Sequence, residues 1–175
     1  MRKPLRITQR CAHVSGVGDL CLNRYNLGMT RFFYRTASVR AHADQSISSA
    51  RVCGVLTAES LRLIIADSTH WCGRADDLAH LVDYSGATLA LSLGKMLDAA
   101  RAAKPADAMA ALPAAFVVSA DQLPTFEGYV AAMMARGFLL TAFTEAAGAR
   151  RWVAQQAQVR AHWRALHAGL RRSAP

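Results

Sequence analysis

Residues 78–97 read LAHLVDYSGATLALSLGKML. The first half is apolar and β-forming and ends in a polar Tyr-Ser-Gly triplet, which is typical of a buried strand followed by a turn. In the second half, Leu93, Met96 and Leu97 recur at the spacing of one helical face. A strand that leads directly into a helix is the repeating unit of α/β proteins.

The same alternation continues on both sides of this unit. Residues 31–41 and 47–56 predict two strands joined as a hairpin, and Thr57 predicts the N-cap of a first helix. Residues 114–120 and 138–144 predict two further strands.

Two more helices complete the pattern. A third helix should open near Pro124 and a fourth near Glu145. The predicted fold is therefore α/β, with a mixed sheet of about five strands and about four helices. Its first hairpin is antiparallel and the rest is mostly parallel, because strands that alternate with helices form right-handed crossovers. The predicted apolar stripe of the third helix is Phe126, Tyr129, Val130, Met133 and Met134, and that of the fourth is Trp152, Val159, Trp163, Leu166 and Leu170.

The formal net charge of +9 conceals three regions. Residues 1–40 carry eight basic and one acidic side chain, residues 41–146 carry seven and eleven, and residues 147–175 carry six arginines and no acid. Basic ends attract nucleic acid or anionic membrane, although arginine-rich proteins also have them without either role.

The domain organisation follows from periodicity. Residues 1–28 lack any sustained helical or strand period, so we predict a disordered leader or an over-extended N-terminus. Residues 29–158 should form the domain, and residues 159–175 a basic C-terminal helix extension. No apolar run approaches the roughly 18 residues of a membrane-spanning helix, and no apolar secretory signal is present. The four cysteines lack Cys-x-x-Cys spacing and fit reduced thiols in the cytoplasm.

Three segments resemble the STAS domain, which anti-sigma-factor antagonists share with sulfate-transporter tails, and its STAS/SEC14-like relatives. GVLTAESL (54–61) resembles the strand that runs into the family's first helix. VDYSGATLALSLGKML (82–97) resembles the central strand, turn and helix, and FLLTAFTEAAGARRWV (138–153) the closing strand and helix. The resemblance covers about residues 31–155 and implies a bacterial, non-enzymatic regulatory protein.

The resemblance also implies a serine switch. In anti-sigma-factor antagonists, a serine at the start of the second helix is phosphorylated by a partner kinase that is also the anti-sigma factor. That serine aligns with Ser92, the glycine after it with Gly94, and the strand-end aspartate with Asp83. The sequence departs from the family's Asp-Ser-Ser-Gly at Leu91 and Leu93.

The residues themselves leave two interpretations of this segment open. A phosphate on Ser92 would be accommodated by the free N–H groups and dipole of a helix N-terminus. An unmodified Ser92 would instead cap the helix by accepting from the N–H of Gly94 or Lys95. Asp83 and Ser85 lie where ligands bind on open parallel sheets, or they form a turn through side-chain hydrogen bonds.

Other chemistry is not indicated. His70, Cys72 and His80 lack the spacing of zinc ligands. A Gly-rich phosphate loop and a Gly-x-Ser-x-Gly nucleophile elbow are both missing from the sequence. We therefore predict no enzymatic activity, no metal and no cofactor.

The last helix carries a basic stripe beside its apolar one. Arg160, Arg164, His167 and Arg171 recur at successive helical turns and form a basic surface. Beyond about residue 159 the helix is longer than the resemblance to the family accounts for, so its apolar side chains there should pack against another surface. A second copy of the chain is the first candidate for that surface, and a membrane is the second. Nucleic acid is disfavoured, because no aromatic side chains interleave the basic residues on the same face.

The sequence thus predicts a regulatory module that binds another protein, a kinase or an anti-sigma-like regulator. The rim from Asp83 to Gly94, including Ser85 and Ser92, is the candidate partner- or ligand-binding site. The alternative is a lipid- or small-ligand-binding STAS/SEC14-like module with an apolar pocket near Met133 and Met134. A cavity of several hundred Å³ beneath the third helix would favour that alternative.

Overall fold

The structure, a computed structural model, describes residues 29–34, 36–44, 47–71, 78–103 and 112–172. The predicted leader, residues 1–28, lies outside this part of the chain. In chain order the elements are β1 (Met29–Tyr34), β2 (Ala37–Asp44), β3 (Ile47–Leu56), α1 (Ala58–Trp71), β4 (Ala79–Leu89), α2 (Leu93–Ala103), β5 (Ala114–Val117), α3 (Leu123–Met134), β6 (Leu140–Phe143) and α4 (Ala146–Arg172).

One mixed sheet holds the six described strands in their chain order, from β1 to β6. β2 is antiparallel to both of its neighbours, β1 and β3, and β3 to β6 are parallel. The predicted α/β class, with an antiparallel start, a mostly parallel remainder and four helices, is confirmed.

The strand count differs from the prediction. Residues 31–41, predicted as one strand, are divided between β1 and β2, with Tyr34 opposite Ala37 in the register. The sequence does not indicate this division, because the residues on both sides alternate as a strand does. Arg35 and Thr36 between them are not the Gly, Asn or Asp residues that usually mark a hairpin turn. Among the described residues the sheet therefore has six strands, where the sequence predicted about five.

A reciprocal cap starts helix α1 at Thr57, as the sequence predicts. The Thr57 N–H donates to Ser60 Oγ at 2.8 Å, and the Ser60 N–H donates to Thr57 Oγ1 at 3.2 Å. This arrangement satisfies two backbone donors at the helix start and has the form of a capping box, with serine in the place of the usual Glu or Gln.

Helices α1, α2 and α3 cover one face of the sheet, here called the three-helix face. Right-handed connections between strands that follow one another in one direction place all three helices on the same side. Their buried residues form a cluster with those of the strands, including Leu61, Ile64, Met96, Ala99, Ala100, Phe126, Tyr129, Met133, Val39, Val52, Val82, Tyr84, Phe116 and Val118.

Helix α4 covers part of the opposite face of the sheet with its first half. The contacting side chains are small on both sides: Ala149, Val153 and Ala157 of the helix meet Ala79, Ala115 and Val117 of β4 and β5. Small residues let the helix axis approach the strands closely.

The predicted apolar stripe of this helix is not the surface that contacts the sheet. Trp152 packs at the margin of the buried cluster, but Val159, Trp163 and Leu166 are exposed. The stripe consists of large apolar residues, whereas the sheet contact is made by Ala149, Val153 and Ala157 on a different face of the helix. Among the described residues, no helix is both long and apolar enough to cross a membrane.

Candidate functional site

A β-bulge in β4 holds Asp83 and Ser85. Arg51 of β3 lies opposite Asp83 and Cys53 lies opposite Gly86, so two residues of β4 face the single residue between Arg51 and Cys53. The extra residue lets β4 continue beside β3 to Leu89. The expectation that the strand ends in a turn after Asp83 and Ser85 is therefore wrong, because the bulge absorbs the polar residues inside the strand.

The carboxylate of Asp83 closes this bulge. Its Oδ1 accepts from the Ser85 N–H at 3.0 Å and from the Ser85 hydroxyl at 2.5 Å. Its Oδ2 accepts from Arg51 Nε at 2.8 Å, and Arg51 Nη2 lies 2.8 Å from the same oxygen. Burial acts to raise the pKa of Asp83, but the hydrogen bonds from Ser85 and the contact with Arg51 outweigh it, so the pKa is lowered.

We expect Asp83→Asn to destabilise the protein by about 1 kcal/mol at pH 7, because it weakens the bonds that favour the ionised group. A carboxyl with a depressed pKa in the folded state contributes stability that is full above its unfolded pKa, near 4, and disappears as the pH falls through the folded pKa. The difference in the free energy of unfolding between wild type and Asp83→Asn should therefore shrink as the pH falls below about 4. Urea denaturation at several pH values measures it.

Asp98→Asn is the matched control for this prediction. Asp98 pairs with Arg101 at 3.0 Å on the surface of α2, where both side chains are largely exposed. Its change should alter stability by only a few tenths of a kcal/mol at any pH. A pH-independent effect of Asp83→Asn would contradict the role assigned to its charge.

Gln122 is a buried polar residue that the sequence analysis missed. Its amide Nε2 donates to the carbonyl of Ala87 at 2.6 Å and to that of Tyr84 at 3.4 Å, and its Oε1 accepts from the Ser119 N–H at 3.0 Å. β5 ends at Val117, so these carbonyls of β4 lie beyond the strand that would otherwise pair with them. Gln122 therefore completes the edge of β4 and fixes the start of α3.

Ser92 and Gly94 lie at the start of α2. Ser92 is exposed, and its Oγ accepts from the Lys95 N–H at 3.5 Å, which is long for a hydrogen bond. Its carbonyl accepts from the Met96 N–H at 2.9 Å, so Ser92 occupies the N-cap position. A side chain at Gly94 would meet no atom within 4 Å. The hydroxyl is thus loosely held on an open surface.

The structure does not bring the four candidate residues into one site. Asp83 and Ser85 are joined to each other, and Ser92 and Gly94 share one helical turn. From Ser85 the strand runs four more residues to Leu89, about 13 Å at the usual rise per residue, before the chain reaches Ser92. Only the second pair lies at the edge where β3 and β4 end.

The space beneath α3 is filled by aromatic side chains. Phe126 is fully buried, with ring centroids 5.1 Å from Tyr84 and 5.7 Å from Phe116, and Tyr129 lies 6.1 Å from Phe116. Met133 belongs to this core, as predicted, but Met134 is half-exposed and does not. Burial raises the pKa of Tyr129 to about 12, so its hydroxyl stays protonated.

A buried serine–histidine pair lies between β3 and β4. Ser48 and His80 face each other in the register, and Ser48 Oγ is hydrogen-bonded to His80 Nδ1. Both residues are almost completely buried, so the pair joins the two strands and is closed to a substrate. Among the described residues, no group of three His, Cys, Asp or Glu side chains could hold a metal ion. Cys72, which the sequence analysis considered with His80, lies outside them.

Two of the three arginines of the predicted basic surface can be described. Arg164 is exposed and Arg160 is partly buried. Burial, and then the neighbouring charge of Arg164, lowers the pKa of Arg160. Arg171 lies in the last turn of α4. The helix runs without a break through residues 158 and 159, where the sequence analysis divides the domain from its extension.

Comparison with known proteins yields a remote structural likeness. No protein-family model and no curated protein matches the chain. The structure is similar to that of an anti-sigma factor antagonist from Mycobacterium paratuberculosis, at 15% sequence identity and a TM-score of 0.40, over 68% of this chain and 95% of that chain. A likeness this remote carries no argument about partners or chemistry, which must come from the residues themselves.

Proposed function

We propose that this chain is a non-enzymatic, cytoplasmic regulatory module that binds a protein partner through the exposed start of α2. The observation that carries this proposal is the position of Ser92. It is an exposed N-cap at the edge of the sheet where β3 and β4 end, and its hydroxyl is held by a single long hydrogen bond. The segmental resemblance to anti-sigma-factor antagonists, in which the regulatory serine aligns with Ser92, supports the proposal.

The electrostatics at this position favour an added negative charge. A helix N-terminus presents unpaired N–H groups and the positive end of the helix dipole. The first turn of α2 contains no acidic side chain, and Lys95 lies within it. A phosphate on Ser92 would therefore meet positive charge with no competing carboxylate in that turn, and it would change the surface offered to a partner.

The two leucines that replace the family's polar residues serve the packing of α2. Leu91 and Leu93 both pack against the core of the three-helix face. The methyl groups of Leu93 lie over Gly128 of α3, so close that a Cβ on Gly128 would lie 2.7 Å from Leu93 Cδ2. The backbone of α2 is thus fixed on both sides of Ser92, and the serine is presented by a rigid helix start.

The packing beneath the third helix argues against the alternative of a lipid- or small-ligand-binding pocket there. The aromatic rings of Tyr84, Phe116, Phe126 and Tyr129 fill the space where that pocket would lie. We therefore place the partner, a kinase or an anti-sigma-like regulator, at the start of α2.

If a negative charge at Ser92 controls partner binding, the variants Ser92→Asp and Ser92→Asn should differ in the partner that they bind. Both replacements keep an N-cap side chain of similar size, but only aspartate adds charge. With each form as bait in a native lysate, we expect one regulator to be retained by wild type and Ser92→Asn and to fall about tenfold or more with Ser92→Asp. Quantitative mass spectrometry of the captured proteins measures this. Equal capture by all three forms, or no specific partner, would overturn the proposal.

A further inference from the structure

Helix α4 continues well beyond its contact with the sheet. The last of its residues in the buried cluster is Ala157, and the helix runs on for about 20 Å to Arg172. Val159, Trp163 and Leu166 are large apolar residues in this part of the helix, and they are 49%, 57% and 46% exposed. These three residues are here called the distal stripe.

The distal stripe has the spacing of a seam between paired helices. Steps of four and then three residues separate its members, which is the alternation of the a and d positions in a coiled coil. In the sequence the same alternation extends backward through Gln156 to Trp152 and forward to Leu170. Helices with this spacing pack on helices with the same spacing, because each seam residue enters a hole between residues of the partner. The spacing therefore indicates that another helix covers the stripe.

The charged residues of α4 lie away from the distal stripe. At about 100° per residue, Arg160 and Arg164 are about 100° and 140° around the helix from Val159. The sheet contact is on that same side, because Val153 and Ala157 are at about 120° and 160°. The positions of the six arginines in α4 are all more than about 70° from Val159. Two copies can therefore join their stripes without placing arginine against arginine, whereas a membrane that received the stripe would meet few of the arginines.

The stripe is complementary to itself when two helices run antiparallel. Trp163 is at its centre, with Val159 about one turn before it and Leu166 about one turn after it. A two-fold axis beside Trp163 places Val159 of one copy next to Leu166 of the other, with the two indoles between these aliphatic pairs. We propose that the distal half of α4 pairs in this antiparallel way with the same segment of a second copy of the chain.

The size of the stripe and its place in the fold set the character of this dimer. Stable interfaces bury about 800 Å² on each partner, more than three half-exposed side chains supply, so the dimer should dissociate on dilution. Helix α4 passes the start of β4, where Ala79 shares a cluster with Ala157, whereas Ser92 follows the end of that strand. The dimer therefore leaves the start of α2 open in both copies, and neither proposal depends on the other.

Sedimentation equilibrium of the full chain is the test, because self-association needs no other partner. The average mass should rise with concentration toward that of two chains and no further, since pairing about a two-fold axis is closed. Trp163→Ser with Leu166→Ser should weaken self-association about 10-fold or more. The matched control is Met134→Ser with Leu139→Ser, which removes two apolar side chains that are 51% and 44% exposed elsewhere and should leave it unchanged. An unchanged circular dichroism melt checks folding of each variant.

A variant that strengthens association separates the seam from any loss of folding. Gln156 is the polar member of the four-and-three spacing, and a polar residue at a seam position weakens helix pairing. Gln156→Leu should tighten self-association about 10-fold. Gln158→Leu adds the same apolar side chain at an exposed position outside the spacing and should change it less than about 2-fold.

Three results would overturn the proposal. The first is a chain that stays monomeric at every concentration, and the second is an equal effect of the two serine double variants. The third is an equal effect of the two leucine variants, which would show that added apolar surface acts without regard to the seam. If the monomeric chain instead binds lipid vesicles and loses them in the Trp163→Ser, Leu166→Ser variant, the distal stripe belongs to a membrane surface.

Discussion

Gly54→Ala is expected to destabilise the fold by about 4 kcal/mol, because strain and a steric clash act at the same position. Gly54 has a φ of +96°, a conformation that L side chains rarely adopt. A Cβ there would lie 2.5 Å from the carbonyl oxygen of Thr36, which is backbone and cannot rotate away. That carbonyl also accepts from the Val55 N–H at 2.8 Å, and Thr36 Oγ1 donates to the Val55 carbonyl at 2.8 Å. Moving the β1–β2 connection aside would therefore cost these bonds as well.

Gly137→Ala is the matched control for Gly54→Ala. Gly137 has a φ of +89°, close to that of Gly54, but a Cβ there would meet no atom within 4 Å. The change should cost only the backbone strain, about 1 kcal/mol. Chemical denaturation of the two variants then separates strain from clash. An equal loss of unfolding free energy in the two variants would contradict the predicted clash. It would show that the connection between β1 and β2 moves away from the new methyl group at no cost in stability.

The bulge in β4 shows where a period-two pattern stops predicting structure. Val82 and Tyr84 face the three-helix side, and past the bulge Ala87 and Leu89 face it too. The inward positions therefore change from even to odd numbers at Ser85. A regular alternation predicts a strand that ends there, since a one-residue slip would turn every later side chain to the other face. A single sequence gives no local signal for the bulge beyond Ser85 and Gly86, which also signal a turn.

Local signals predicted most of the rest of the fold. The starts of α1 and α2 follow from Thr57 and Ser92, because N-caps act over three residues. The face of α4 that contacts the sheet could not be predicted, because small residues such as Ala149 and Ala157 make the contact and do not stand out as an apolar stripe. In the candidate site, Ser92 could be predicted from its place before a helix, whereas Gln122 could not. Its carbonyl partners are 35 and 38 residues away in the chain.

Gln122→Ala is expected to destabilise the protein by about 3 kcal/mol. Gln122 is 4% exposed, and the change would leave the carbonyls of Ala87 and Tyr84 and the N–H of Ser119 without this partner. Water cannot readily replace a bond inside the protein, so the cost approaches the desolvation penalty of these groups. Urea denaturation at pH 7 measures the loss. Gln155→Ala, an exposed change in α4, should stay within about 0.5 kcal/mol of wild type.

Gln122→Glu tests whether hydrogen-bond donation, and not the volume of the side chain, is what β4 requires. Glutamate fills the same space and can still accept from the Ser119 N–H, but its ionised form would face two carbonyl oxygens. That environment favours the protonated acid, which can donate to Ala87, so the pKa of the new carboxyl should be raised in the folded state. A raised pKa makes stability fall as pH rises through the unfolded value, near 4.3. Relative to Gln122→Ala, the Glu variant should therefore be more stable near pH 4 and less stable at pH 7. A constant difference between the two variants across this range would mean that packing, not donation, fixes the junction between β4 and α3.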